Sequence, residues 1–199
     1  MKNVVLVGYG KMGSSIAQGW MLKSLNFNFF VIEKESSLRR IAVGDGLQSY
    51  ESVEELLKFV DKDTLDIIFL AVKPQQMSKT IKVFSRIDFS NTLFISIAAG
   101  LSFDWFQSTL NKEIKIVRAM PNLPASVGFG LTGYCQTSNI NEIENQDTQE
   151  LLSAFGKAIY LGSEALIDVV TAISGSGPAY VFYFAEALSE IGVNQGLSR

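Results

Sequence analysis

The chain has 199 residues, of which 47% are hydrophobic and 19% charged, and its formal net charge is −3. This composition supports a buried core and excludes a largely disordered chain. The small negative charge indicates no basic surface for nucleic acid or for an anionic membrane. No apolar run approaches the roughly 20 residues of a membrane-spanning helix. The length fits one domain of ordinary size and part of a second.

The sequence has no histidine and a single cysteine, Cys135. Without histidine, the chain excludes a His general base, Ser-His-Asp hydrolysis and His-ligated metal sites, and we predict no metal site. One cysteine forms no disulfide within the chain, and the N-terminal residues lead directly into a strand pattern. Both observations favour a cytoplasmic, reducing location. We expect Cys135 to be a small buried side chain rather than a nucleophile, since no base stands near it.

Strand patterns and helix patterns alternate along most of the chain. The predicted strands cover residues 4–7, 29–32, 47–50, 66–72, 91–100, 114–120, 131–137 and 157–162. The predicted helices cover residues 12–23, 36–43, 53–60 and 147–155. Ser52 and Glu55 have the spacing of a capping box at the start of the third helix. Continuous apolar strands between amphipathic helices predict an α/β fold with a doubly wound, mostly parallel sheet.

The pattern changes near Gly162, where we place a domain boundary between residues 1–162 and 163–199. Residues 163–174 and 176–193 both have a helical pattern. The second of these helices is apolar on nearly every side, which is typical of a helix buried against other helices. The last segment therefore predicts the beginning of an all-helical second domain.

The segment Gly-Tyr-Gly-Lys-Met-Gly follows the first predicted strand and opens the first predicted helix. In a nucleotide-binding βαβ unit the first glycine makes a tight turn and the second lets the backbone approach a pyrophosphate. The third lets the helix pack closely on the strand, and the helix N-terminus attracts phosphate. The strand and helix patterns on either side favour this function over a plain glycine-rich turn. The predicted dinucleotide site is formed by Gly8, Tyr9, Gly10, Lys11, Met12 and Gly13.

Glu33 ends the second predicted strand, at the distance from Gly13 expected for a carboxylate that binds the adenosine ribose. A carboxylate there repels a 2′-phosphate and favours NADH. Lys34 and Arg39 would have the opposite effect if Glu33 turned away, and both are equally typical of a solvated helix start. The sequence thus favours NADH and leaves NADPH open.

Ligands of such sheets bind beyond the carboxyl ends of the strands. Three further strand ends carry small residues or a rigid loop, and Pro74 is suited to begin a helix. We predict that they contribute to the cofactor site: Ala71, Val72, Lys73 and Pro74; Ala98, Ala99 and Gly100; and Asn122 between two prolines. Each stretch also has an explanation that needs no ligand. Lys73 would be an exposed cation of a loop, residues 98–100 a strand-to-helix turn, and the loop around Asn122 a rigid connector.

The segment AISGSGPAYVFYFAEALSEIGV at residues 172–193 resembles the start of the second domain of pyrroline-5-carboxylate reductases. The AVKP and MPNLP stretches and the N-terminal glycine motif are similar to that family in the same order, so the resemblance covers essentially the whole chain. It implies reduction of 1-pyrroline-5-carboxylate to L-proline with NADPH or NADH, by a homo-oligomer. A protonated cyclic imine is already a strong electrophile, which agrees with the missing histidine.

The resemblance also implies site residues in the second domain. Gly175, Ser176, Gly177 and Pro178 would form a turn whose N–H groups bind the substrate carboxylate, aided by the following helix N-terminus. Glu164 matches a family position near the ring nitrogen, where a carboxylate favours the iminium, and with Ser176 it makes up the predicted catalytic pair. The family's second domain continues beyond the point where this chain ends, which implies a shortened chain with impaired catalysis.

Two other functions stay open on the residues alone. The first is a related dehydrogenase of prephenate or 3-hydroxyacid type, against which the missing histidine and the SGSGPAY segment argue. The second is a dinucleotide-binding module without turnover, which the early end of the chain favours.

Overall fold

The computed structural model describes residues 1–85 and 89–199, and its centre is one eight-stranded sheet with the order β3-β2-β1-β4-β5-β6-β7-β8. Neighbouring strands are parallel, except that β7 runs antiparallel to β6. The predicted doubly wound, mostly parallel sheet is confirmed. The strands are Lys2–Val7, Phe27–Ile32, Gln48–Tyr50, Leu65–Leu70, Leu93–Ser96, Lys115–Met120, Gly130–Gln136 and Gly156–Tyr160, numbered β1 to β8.

Helices cover both faces of the sheet. They are Lys11–Leu22, Ser36–Gly44, Val53–Leu56, Pro74–Phe84, Phe103–Leu110, Glu142–Ser153, Ala165–Val170 and Gly177–Asn194, numbered α1 to α8. Short 3₁₀ turns lie at Lys62–Thr64 and Leu123–Val127, and a π-helix at Thr171–Gly175 joins α7 to α8. Pro74 begins α4 as expected, whereas α5 was not predicted.

The central strands are buried on both sides, which is why they read as continuous apolar runs. Along β1, Val4 and Leu6 belong to one core cluster, while Val5 and Val7 belong to the cluster on the opposite face. The same alternation occurs along β4. Each fully buried side chain of this size contributes roughly 1.5–3 kcal/mol to folding, so the two layers fix the register of the parallel strands.

Two helix starts differ from their predicted form. Ser52 accepts from the Glu55 N–H at 3.2 Å, but the Glu55 carboxylate accepts from Glu51 N–H rather than from Ser52. Helix α3 ends at Leu56, because the N–H groups of Lys58 and Phe59 donate to carbonyls three residues earlier. Helix α6 begins before its predicted start, because Asn141 and Glu144 form a full capping box.

The final helix departs most from expectation. No residue of α8 is fully buried, and Tyr183 is 77% exposed, so the predicted burial of this helix against other helices is not seen. Within the described residues, one helical run, Ala165–Asn194, is long and apolar enough to cross a membrane by length and composition alone. The expectation that no apolar run reaches such a length was therefore wrong. A single helix that passes this test is weak evidence for a membrane.

Candidate functional site

The three loop glycines after β1 have different physical roles. Gly8 has φ +99°, and a Cβ there would lie 2.8 Å from the Ala71 carbonyl oxygen. At Gly13 a Cβ would lie 2.2 Å from the Gly8 carbonyl oxygen, so α1 packs directly on the end of the strand. Gly10 is exposed, and a Cβ there would meet nothing within 4 Å. Gly8 and Gly13 are thus required by the fold, and Gly10 leaves open space above the backbone.

That open space lies at the N-terminus of α1. Gly10 is the N-cap residue, no side chain caps the helix, and its first turn has no acidic residue. The N-terminal N–H groups of a 12-residue helix consequently point at this position without a side-chain acceptor. The arrangement suits the phosphates of a dinucleotide, so the bare cradle fits the predicted cofactor.

Glu33 follows β2 and lies against the glycine loop. One of its carboxylate oxygens accepts from Tyr9 N–H at 2.7 Å, and the other accepts from Glu35 N–H at 2.9 Å. Arg39 donates to the main-chain carbonyls of residues 33 and 34 and pairs with a glutamate carboxylate. The guanidinium is thus already engaged, and Lys34 is the exposed cation at this strand end.

Tyr9 contributes its backbone to the loop and not its side chain. The ring is buried in the core beneath the loop, and its hydroxyl donates to Asp45 at 2.7 Å. Burial, reinforced by the hydrogen bond to the Asp45 carboxylate, raises the pKa of Tyr9 well above its usual value. The side chain of Tyr9 therefore ties the loop to the end of α2.

The predicted strand ends do meet at one edge of the sheet, because β2, β1, β4, β5 and β6 are neighbours. Ala71 donates its N–H to Val7 and lies under Gly8, and exposed Lys73 is the N-cap of α4. After β5, Ala98 is buried and Gly100 has φ +73° with open space around it. These loops and the glycine loop follow the neighbouring strands β1, β4 and β5, and we call their small residues the rim of small residues.

Asn122 follows β6, and both ends of its amide are engaged. Its Oδ1 accepts from Leu131 N–H at 2.9 Å, and its Nδ2 donates to Ser174 Oγ at 2.9 Å. The Asn122 side chain therefore connects the loop after β6 to the π-helix.

The segment at residues 175–178 is not a turn, and that prediction was wrong. Ser176 N–H donates to the Thr171 carbonyl at 2.8 Å, five residues back, and Ser176 has right-handed helical dihedrals. Gly177 and Pro178 then begin α8, where proline is tolerated because first-turn N–H groups need no helical partner. The helical run is continuous across this segment, with a π-helix in place of the turn.

Glu164 belongs to an ion-pair group around the buried Arg118 that also includes the exposed Asp168, called here the Arg118 cluster. Arg118 Nη1 donates to Glu164 Oε1 at 2.6 Å, and Nη2 lies 3.4 Å from Asp168 Oδ1. Phe103 N–H also donates to Glu164 Oε1, at 2.7 Å. The sequence patterns do not predict Arg118, Asp168 or Ser174 as site residues. The available signal for Arg118 was a charged residue between apolar neighbours in the run IKIVRAM, where Lys115 is the other charge.

Cys135 lies beside this cluster, in a small core with Met120 and Ile167. Burial raises the pKa of the Cys135 thiol to about 11, against a smaller opposing effect of Arg118. The thiol is thus protonated near neutral pH and packs as an apolar side chain, as its sequence context predicted.

Comparison with known proteins separates the chain into two matched segments. A family model described as "NADP oxidoreductase coenzyme F420-dependent" matches residues 3–100. A second, described as "Pyrroline-5-carboxylate reductase dimerisation", matches residues 164–199. The glycine loop lies in the first segment, and Glu164 and the π-helix lie in the second.

Individual proteins match almost the whole chain. The pyrroline-5-carboxylate reductase of Aquifex aeolicus is 35% identical over 98% of this chain and 70% of its own length. A solved reductase of that name from Coxiella burnetii superimposes with a TM-score of 0.84 at 28% identity, covering 99% of this chain and 72% of the other. The Plasmodium falciparum pyrroline carboxylate reductase with NADP bound has a TM-score of 0.78 at 32% identity, covering 99% and 71%.

The different environments of Gly10 and Gly13 predict different effects of the same substitution. Gly13→Ala should lower the free energy of unfolding by about 1–3 kcal/mol, because its methyl group overlaps the Gly8 carbonyl. Gly10→Ala should lower it by less, about 0.5–1 kcal/mol, because alanine is a poorer N-cap residue than glycine but its methyl group would meet no other atom within 4 Å. The same Gly10→Ala change should weaken NADH binding about tenfold or more, which corresponds to about 1.4 kcal/mol. Urea unfolding and a fluorescence titration with NADH measure the two effects. Unchanged NADH affinity in Gly10→Ala would contradict the assigned phosphate cradle.

Proposed function

This chain belongs to the pyrroline-5-carboxylate reductase family, and from that membership we propose how its residues carry out the reaction. The chain is an oxidoreductase that uses NADH or NADPH and reduces 1-pyrroline-5-carboxylate to L-proline. The observation that carries this conclusion is the 35% identity to a named reductase over 98% of the chain.

The cofactor binds along the rim of small residues at the carboxyl edge of the sheet. Gly10 and the α1 N-terminus hold the pyrophosphate, and support comes from the uncapped first turn and the open space above Gly10. The loops at residues 71–74 and 98–100 give the rest of the cofactor a flat, backbone-lined surface. The nicotinamide supplies a hydride when it is bound.

Glu33 favours NADH over NADPH. Its carboxylate is fixed beside the loop by two backbone N–H groups, and Arg39 is turned away onto main-chain carbonyls. A 2′-phosphate would meet a fixed negative charge, while ribose hydroxyls could donate to it. Lys34 offers an exposed positive charge at this strand end.

Glu164 acts on the substrate through one oxygen. Oε1 accepts from Arg118 and Phe103, whereas Oε2 has no hydrogen-bond partner among the described residues. A carboxylate oxygen of this kind stabilises a protonated ring nitrogen, and thus the electrophilic iminium form of the imine. The chemistry needs no histidine, because the proton is already on the substrate.

The π-helix and the start of α8 bind the substrate carboxylate. Gly175, Ser176, Gly177 and Pro178 lie next to the end of β6, which Asn122 ties to Ser174. A π-helix changes the hydrogen-bond spacing within a helical run, and such segments are frequent at functional sites. We assign the carboxylate contact to the backbone and to the Ser176 hydroxyl in this segment.

The chain divides near Gly162 into a cofactor domain and a helical segment that associates with a second copy. Support comes from the dimerisation family model at residues 164–199 and from the exposed aromatic side chains of α8. An interface of this kind also explains the apolar composition of the helix without a membrane. With a single, buried cysteine, the protein is assigned to the cytoplasm.

The assignment of Glu164 predicts a pH-dependent defect. Glu164→Gln keeps an oxygen for Arg118 but removes the charge, so kcat should fall about tenfold to a hundredfold, as expected when a hydrogen bond to a charged group is lost. The defect should be smaller at pH 6 than at pH 8, since more of the imine is protonated in solution at low pH. Oxidation of NADH and NADPH, followed by absorbance with 1-pyrroline-5-carboxylate, measures both. Wild-type protein without turnover would contradict the function, and an equally active Glu164→Gln would contradict only the role of this residue.

The assignment of Glu33 predicts a shift in cofactor preference. Wild-type kcat/KM should be higher with NADH, and Glu33→Gln should raise the NADPH-to-NADH ratio about tenfold, because one like charge near the 2′-phosphate is removed. Glu35→Gln is the matched control: it removes an exposed carboxylate two residues away and should change the ratio less. Equal shifts in the two variants would show that Glu33 has no special position.

The exposure of α8 predicts that association depends on this helix. Phe184 is 66% exposed, and Phe184→Glu should move the molar mass measured by light scattering toward that of the monomer. Ile143→Glu changes a similarly exposed residue, 62%, on α6 and should leave the mass unchanged. A wild-type chain that is monomeric at all concentrations would contradict the interface.

A further inference from the structure

A buried arginine stands in the middle of an otherwise apolar strand. Arg118 is 4% exposed, and its neighbours Val117 and Ala119 are almost completely buried. Burial of a charge is costly unless it is paired and hydrogen-bonded. Strand β6 would be more easily built with an apolar residue here, so the arginine needs an explanation.

The partners of Arg118 lie outside the sheet. Both Glu164 and Asp168 belong to the segment at residues 164–199, while Arg118 belongs to the cofactor domain. Because Phe103 N–H donates to the same oxygen as Arg118 Nη1, Glu164 Oε1 is fixed from two elements of the cofactor domain at once. The planar guanidinium spans two carboxylates, which a lysine ammonium cannot do in the same way.

The same stretch of chain contacts the helical segment again at the next two alternate positions. Met120 Sδ lies 3.9 Å from where a Cβ would stand at Gly175, and Asn122 donates to Ser174. Alternate residues of an extended chain lie on one face. Arg118, Met120 and Asn122 therefore form a line that sets the position of α7 and the π-helix against the cofactor edge.

We propose that Arg118 is a positioning residue for reduction of the imine, acting through Glu164. It anchors one carboxylate oxygen so that the other faces the substrate, and it fixes the distance between the helical segment and the strand ends. The inference rests on the proposed role of Glu164. Arg118 is assigned a positioning role and not a substrate contact, because Nη1 donates to Glu164 and Nη2 to Asp168, while its Nε is buried without a hydrogen-bond partner among the described residues.

The test uses the full chain and five variants: Arg118→Met, Arg118→Lys, Glu164→Gln, the double variant Arg118→Met/Glu164→Gln, and Lys115→Met. Lys115→Met is the matched control, because it removes another ion pair of β6, Lys115 with Glu144 at 2.7 Å, near the amino end of the strand. For each variant, kcat and KM for 1-pyrroline-5-carboxylate, the Kd of NADH, the Kd of L-proline and the thermal midpoint are measured.

Arg118→Met should lower kcat/KM about a hundredfold, the order of loss expected for a misplacement of about 1 Å, and weaken L-proline binding, with the Kd of NADH unchanged. Arg118→Lys should recover part of the activity, since it restores a charge that pairs with Glu164. The double variant should be about as active as the less active of the two single variants, because both changes remove the same interaction. Lys115→Met should keep wild-type kcat and KM.

The proposal is overturned if Arg118→Met keeps wild-type kcat/KM while Glu164→Gln loses activity, a result that leaves the proposed function intact. It is also overturned if the losses of the single variants multiply in the double variant, which would show that Arg118 acts independently of Glu164. If Arg118→Met does not fold, the result for Arg118→Lys decides the question. A folded Arg118→Lys variant with wild-type kcat and L-proline affinity would show that the guanidinium contact with Glu164 and Asp168 is not needed, and it would overturn the proposal. A wild-type chain without turnover contradicts the proposed function itself.

Discussion

A sheet whose strands are buried on both faces can present polar groups and open space only where its strands end. In this protein Val4 to Val7 alternate between two core layers, so the interior of β1 has no room for a ligand. The first residue without a side chain is Gly8, in the turn where the chain leaves the sheet and leads into α1. The uncapped N–H groups of α1 and the small residues after β4 and β5 lie at the same edge. The proposed position of the cofactor thus follows from the burial of the sheet.

The second half of the site depends on contacts made across the chain. Helix α7 adds little apolar contact of its own, with Ile167 as its buried residue. The Arg118 cluster and the hydrogen bond from Asn122 to Ser174 supply directional contacts, which fix orientation better than apolar packing does. Helix α8, by contrast, makes no buried contact in this structure. The change from residues held by side-chain contacts to exposed residues therefore occurs within one helical run, at the π-helix.

The sequence predicted what is local and periodic. The sheet, the glycine loop and Glu33 follow from apolar runs and from fixed spacings, and the structure places them as expected. Arg118 could not be predicted in the same way, because its pairing with Glu164 joins residues 46 positions apart. The turn at residues 175–178 was implied by the family resemblance. The structure shows instead that an i→i−5 hydrogen bond can carry a helix through such residues. Helix α3 was predicted too long because its capping residues specify a start and not an end.

The missing histidine is consistent with this division between the two halves of the site. A reaction that must move a proton needs a group whose pKa lies near the working pH. A cyclic imine that arrives protonated needs only a fixed negative charge near its nitrogen and a flat surface that orients the hydride donor. A carboxylate serves as such a charge if its own position is fixed, and Glu164 has one oxygen bound by Arg118 and Phe103. In the proposed role of Glu164, the second oxygen is then oriented without any further side chain, so the catalytic demand on this protein would be mainly one of geometry.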